Sequence, residues 1–223
     1  MDTHLLKRAI GLFLSGLMMV GLLLFLPAGS FGYRQGWLLI GILFIPMFIA
    51  GLIMMKKAPD LLRKRLDVRE RQSEQKTVIA LSGLMFLAAF VVAGLNFRFG
   101  WVVLPDWVSR AAAAVFLLTY ALYGEVLWEN AWLSRTVEVQ EDQKVIVTGL
   151  YGVVRHPMYM STLLLFLTMP LVLGSPLSFG IMLAYIPIIA KRIRNEEKVL
   201  EIGLSGYREY KERVRYKVIP FVW

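Results

Sequence analysis

Met158–Ala190 (MYMSTLLLFLTMPLVLGSPLSFGIMLAYIPIIA) runs for 33 residues without a charge and is interrupted by Gly174-Ser175-Pro176. A helix crosses the roughly 30 Å hydrocarbon core of a bilayer with about 20 apolar residues. The run is too long for one crossing, and Gly-Ser-Pro reads as a helix stop followed by a helix start. The pattern predicts a tight helical hairpin of two short spans. Outward from it, Ala9–Leu26 holds 18 consecutive uncharged residues, and Trp37–Met55 and Thr77–Leu95 hold 19 each. A fourth apolar stretch, Val108–Leu133, carries Glu125 and Glu129. The expected fold is an all-α integral membrane protein of about six (five to six) transmembrane helices, ending in the hairpin.

Composition agrees. Of the 223 residues, 57% are hydrophobic and 18% are charged, against about 45–50% and about 25% in soluble domains. With no cysteine, there are no disulfides, thiolate metal sites or cysteine nucleophiles, and His4 and His156 are too few for a histidine metal cluster. The net charge of +9 is mainly a topology signal. With the N-terminus inside, 22 of the 25 Lys and Arg residues fall in cytoplasmic segments, and only Arg34, Arg98 and Arg110 fall outside. Both termini are then cytoplasmic, in the inner membrane if the cell is prokaryotic, and no nucleic-acid partner is implied. The first span follows Lys7-Arg8 as a signal peptide would. Its 18-residue core exceeds the usual 7–15, however, so it reads as a retained span.

Two regions are expected: residues 1–133, with about four spans, and residues 134–223, with the hairpin, a cytoplasmic cofactor pocket and a cytoplasmic tail. In the first, Ala58–Leu66 reads as a short basic helix on the membrane surface, with Pro59 at its start. The glycines and methionines of the first two spans read as packing surfaces. Glu125 and Glu129, one turn apart, share a helix face; they either border a cation-accepting pocket or pair with arginines at the span's end.

The second region is richer in chemistry. Residues 135–148 alternate valines with polar residues and read as an extended or hairpin segment at the surface. Arg155-His156-Pro157-Met158-Tyr159 opens the fifth span. Pro157 suits the first helical turn, so the positive helix end lies beside Arg155 and His156 and can receive an anion such as a carboxylate. His156 and Tyr159 share a face. Beyond the hairpin, Lys191-Arg192-Ile193-Arg194-Asn195-Glu196-Glu197 places Arg192 and Glu196 one turn apart, a cation donor and an anion acceptor facing one way. The hairpin should return this cluster to His156 and Tyr159.

Val147-Thr148-Gly149-Leu150-Tyr151, Arg155–Tyr159, Glu196-Glu197, Tyr207-Arg208-Glu209-Tyr210 and Arg213–Pro220 occur together and in order. As a set they resemble the isoprenylcysteine carboxyl methyltransferase and phospholipid methyltransferase family of integral membrane enzymes, over about residues 130–223. Pro59-Asp60-Leu61-Leu62 is also similar to prokaryotic members, and Ser161 stands where the family commonly has glycine. The resemblance implies a methyltransferase using S-adenosylmethionine (SAM), with S-adenosylhomocysteine as product and no metal. It implies cofactor contacts at Gln140, Gln143, Lys144, Val145, Ile146, Tyr151, His156, Pro157, Met158, Tyr159 and Glu196, and acceptor contact at Arg192. On the residue chemistry, Arg155 and the start of the Pro157 helix suit the SAM carboxylate, and Glu196 suits its ammonium or ribose. The candidate catalytic pair is Arg192 and Glu196.

No two glycines stand two apart, so the glycine-rich loop of a Rossmann domain is absent. The implied partners are membrane lipids and a lipophilic or lipidated acceptor, carboxylate or amine, entering sideways between spans. Two other readings accompany this one: an NADPH-dependent sterol-type membrane reductase, and a non-enzymatic small transporter or scaffold built around Glu125 and Glu129.

Overall fold

In the computed structural model the described residues are 2–67, 73–134 and 136–223, with side chains described from Gln75 onward in the second stretch. Arg69, Arg71 and Arg135, counted above among the cytoplasmic charges, lie outside them. The elements are α1 (Thr3–Ala28), α2 (Arg34–Lys57), α3 (Pro59–Leu66), α4 (Ser73–Phe99), α5 (Asp106–Glu129), a 3-10 turn (Gly149–Gly152), α6 (Pro157–Val172), α7 (Pro176–Met182), α8 (Tyr185–Gly203) and α9 (Tyr207–Arg213). Among the described residues there is no strand. Among the described residues five helical stretches, α1, α2, α4, α5 and α7–α8 together, are long and apolar enough to cross a membrane. The sixth, α6, is apolar but has 16 residues. The chain is a multi-pass, all-α integral membrane protein.

Gly174-Ser175-Pro176 makes the hairpin by dividing three tasks. Gly174, at φ 70°, takes the left-handed position after α6. Its N–H donates to Leu171 O (3.1 Å) and the Ser175 N–H donates to Pro170 O (2.9 Å), the paired bonds of a Schellman end. The Ser175 hydroxyl then caps α7 by accepting from Ser178 N, and Pro176 occupies the first turn. At the end of α6 the Tyr33 hydroxyl donates to Leu173 O (2.7 Å), and the Ser109 hydroxyl adds a second bond to Leu171 O (3.2 Å). The second arm is broken between α7 and α8. Pro187 has no N–H for Leu183 O, which instead accepts from Ile186 N at 3.1 Å.

α5 packs along α6, α1 along α4, and α4 along α7. The α1–α4 crossing depends on Gly94, where a Cβ would stand 2.6 Å from the backbone oxygen of Leu24. The glycines of the first two spans do not repeat this. Gly11, Gly21, Gly41 and Gly51 have no neighbouring atom within 4 Å of a built Cβ, and Met18 and Met19 are exposed, whereas a Cβ on Gly16 would lie 3.8 Å from the Phe44 ring and Met47 packs against the core. Ser161 is buried, and its hydroxyl donates to Pro157 O at 3.0 Å.

α3 forms as expected, with Pro59 in its first turn and Leu62 buried. It lies at the end of the bundle where α1 and α6 begin and α5 ends. Arg63 bridges Asp2 and Asp60 (2.8 Å each), Lys64 reaches Ala131 O (3.4 Å), and Arg65 meets the Tyr123 hydroxyl. Glu125 is exposed, and Glu129 accepts the Thr148 hydroxyl at the end of α5. Residues 136–148 form no β-ladder. A turn closes where Gln143 N donates to Gln140 O (3.2 Å) and Gln140 N donates to Gln143 Oε1 (2.9 Å), with Asp142 at φ 55°.

Candidate functional site

The hairpin returns α8 beside the start of α6, and two adjacent carboxylates there do different jobs. Residues one apart on a helix point about 100° apart, so Glu196 and Glu197 face different surroundings. Glu197 turns inward. Its Oε1 accepts from Arg155 Nε at 2.8 Å and lies 3.3 Å from His156 Nε2, and its Oε2 lies 2.9 Å from Lys217 Nζ. Arg155 Nη1 also donates to Val214 O (2.7 Å) and Arg215 O (2.8 Å). The backbone N–H groups of Arg155 and His156 donate to Tyr216 O (2.9 Å) and Lys217 O (2.8 Å). This knot ties the start of α6, the end of α8 and the C-terminal segment into one piece.

Glu196 turns the other way and is partly open, at 23% side-chain exposure. It accepts the Tyr159 hydroxyl, which in turn accepts from Arg192 Nε at 2.9 Å. His156 Nδ1 stands 3.9 Å from the same carboxylate, too far for a hydrogen bond. Arg192 Nη1 donates to Gln75 Oε1 of α4 at 3.1 Å. Tyr159 is therefore the link between the cation and the anion, one helical turn apart on α8.

These groups open onto a cleft of about 810 Å³, including the space at its mouth. Of the residues anticipated from the sequence, Gln143, Lys144, Val145, Ile146, Tyr151, Arg155, His156, Met158, Tyr159, Arg192 and Glu196 line it. Two stand behind the wall. Gln140 holds the preceding loop, its side-chain amide donating to Trp132 O at 2.6 Å, and Pro157 is fully buried in the first turn of α6.

The cleft also takes residues that were not anticipated: Asn130, Trp132, Leu133 and Glu138 on one side, and Leu200, Leu204, Tyr207 and Tyr210 on the other. Leu200 and Leu204 follow Glu196 at steps of four, a signal the sequence carried. Asn130 Nδ2 donates to the Tyr151 hydroxyl (2.9 Å), and the Tyr210 hydroxyl donates to Tyr151 O (2.7 Å). The buried Tyr207 hydroxyl has no hydrogen-bond partner among the described residues. Burial holds the Tyr151, Tyr207 and Tyr210 hydroxyls above the usual phenol range, so all three are neutral.

The cleft thus combines a partly open carboxylate, a lysine, an uncommitted hydroxyl and apolar walls. Arg192 and Tyr159 line it as well. Such a set suits a ligand with ammonium, carboxylate and aromatic parts.

Residues 110–202 match the profile of the isoprenylcysteine carboxyl methyltransferase (ICMT) family. Over 91 residues the chain is 30% identical to the Delta(14)-sterol reductase TM7SF2 of Mus musculus. That stretch covers 40% of this chain and 22% of the reductase, so the match spans about a fifth of that relative's length.

Proposed function

We propose, from the match of residues 110–202 to the isoprenylcysteine carboxyl methyltransferase family profile, that the chain is a SAM-dependent methyltransferase acting on a lipophilic acceptor in the membrane. The observation that carries this is the Arg192–Tyr159–Glu196 cluster beside the start of α6, opening onto a cleft lined by both polar and apolar side chains. The cleft's chemistry fits SAM: Glu196 for the ammonium, Lys144 and the positive end of α6 for the carboxylate, the Tyr207 hydroxyl for a ribose or adenine polar atom, and Val145, Ile146, Leu200 and Leu204 for the adenine faces. Arg155 serves the scaffold in this scheme. Residues 134–223 then hold the cofactor, and residues 1–133 supply most of the lipid-facing body.

SAM, when bound, supplies an electrophilic methyl on a sulfonium and departs as S-adenosylhomocysteine. The protein's task is to hold an acceptor in line and keep water away. Arg192 lines the cleft and orients a carboxylate acceptor by charge-assisted hydrogen bonds; a carboxylate is already ionised and needs no base. For an amine acceptor, Glu196 takes the proton. Tyr159 keeps the two side chains a fixed distance apart in either case. The cleft opens at the end of the bundle carrying the basic helix α3, which supports a cytoplasmic cofactor entrance and cytoplasmic termini.

The test is transfer of labelled methyl from SAM to a total lipid extract by the purified protein, with S-adenosylhomocysteine binding measured by calorimetry. Binding and a labelled lipid product are expected; no binding of either nucleoside overturns the reading. The identity shared with a sterol reductase supports a second reading, in which the same cleft binds NADPH. Displacement of S-adenosylhomocysteine by NADPH at comparable concentration would favour it.

A further inference from the structure

Gln75 stands in the first turns of α4, 117 positions from Arg192 in sequence, and is fully buried. Its amide oxygen accepts from Arg192 Nη1 at 3.1 Å. The orientation of this amide follows from chemistry: a guanidinium has only donors, so the oxygen must face it and the NH2 group must face away. There the Nε2 atom has no hydrogen-bond partner among the described residues. An unpaired buried donor is destabilising, and a leucine would fill the same space without it. A side chain kept only for packing has no use for this amide. Arg192 has a use for its oxygen.

We propose that Gln75 is a positioning residue for Arg192. From α4 it fixes the Nη1 edge of the guanidinium, while the Tyr159 hydroxyl fixes the Nε edge from α6. Held from two helices, the guanidinium presents a set direction to the acceptor instead of sweeping the inner cleft on its long, flexible stem. This rests on the acceptor-orienting role given to Arg192 above. It adds to that role a helix outside residues 110–202, from the part of the chain expected to carry little chemistry.

The test compares wild type, Gln75→Leu and Gln75→Glu in detergent or nanodiscs. Arg192 side-chain resonances are assigned by their loss in Arg192→Lys. Wild type should show distinct, slowly exchanging guanidinium signals. Gln75→Leu should average them, melt at or above the wild-type temperature, bind S-adenosylhomocysteine within about twofold of wild type, and lower kcat for methyl incorporation into a lipid extract by about tenfold or more. Gln75→Glu keeps an acceptor for Nη1 and should restore the resolved signals. Unchanged Arg192 signals in Gln75→Leu would overturn the proposal, and so would a loss of activity that only parallels a loss of melting temperature. If wild type binds no S-adenosylhomocysteine, the methyltransferase reading falls, and the resonance comparison still decides whether Gln75 holds Arg192.

Discussion

Arg155 and Glu197 form an ion pair of 2.8 Å with both side chains about 6% exposed, joining the start of α6 to α8. Two of the guanidinium's nitrogens are committed, one to this carboxylate and one to the carbonyls of Val214 and Arg215. Removing one member of a buried pair leaves the other charge uncompensated, at about 3–5 kcal/mol. Lys217 at 2.9 Å and His156 at 3.3 Å soften that loss for Glu197, so Arg155→Leu should destabilise by about 3 kcal/mol, at the low end of the range. Thermal unfolding in detergent checks this. Unchanged melting together with weakened S-adenosylhomocysteine binding would instead assign Arg155 to the ligand, the role the sequence suggested.

Glu196 should behave in the opposite way to its neighbour. It is partly open and bonded through Tyr159, so Glu196→Gln should leave the melting temperature nearly unchanged. A hydrogen bond to a charged group contributes about 1.5–3 kcal/mol, which corresponds to a loss of roughly 10- to 150-fold in S-adenosylhomocysteine affinity. Tyr159→Phe removes the link between Arg192 and Glu196 while leaving both charges in place. Its main effect should fall on kcat for methyl transfer, by about tenfold, with a smaller change in affinity.

Tyr207 allows a sharper separation of ligand and scaffold. Its hydroxyl is buried in the cleft wall without a hydrogen-bond partner among the described residues. Tyr207→Phe therefore removes nothing the ligand-free protein uses, and should melt at or slightly above the wild-type temperature. If the hydroxyl serves the nucleoside, affinity falls by about 1 kcal/mol, roughly fivefold. Calorimetry on the two proteins side by side measures it; equal affinity would leave the hydroxyl without a ligand role.

What could be read from the sequence was what repeats at short range. Gly174-Ser175-Pro176 announced the hairpin because each residue has one local task. His156 with Tyr159, and Arg192 with Glu196, share faces because three and four residues make a helical turn. The same spacing singled out Glu196, but the inward task of Glu197 could not be read, because it depends on Arg155 and Lys217, which arrive from far along the chain. Gln75 was unreadable for the same reason. Its importance lies in one contact across 117 positions. Residues 136–148 alternated like a strand, but the Gln140–Gln143 turn uses the N–H groups of both glutamines within the loop, where a ladder would have paired them with another strand.

The glycines make the limit of pattern reading measurable. Gly41 and Gly94 both lie within apolar spans and look equivalent in sequence, yet a Cβ meets nothing within 4 Å at Gly41, while at Gly94 it stands 2.6 Å from Leu24 O and 3.0 Å from Ala28 N. Those atoms are backbone, so α1 and α4 must move apart to admit a methyl group. Overpacking of this kind costs about 1–3 kcal/mol. Gly41→Ala faces no such contact and gains helix propensity of up to about 1 kcal/mol. The expected result is a lowered melting temperature for Gly94→Ala and an unchanged or raised one for Gly41→Ala, read in the same detergent. Equal melting of the two would mean that the α1–α4 crossing is looser than the 2.6 Å approach indicates.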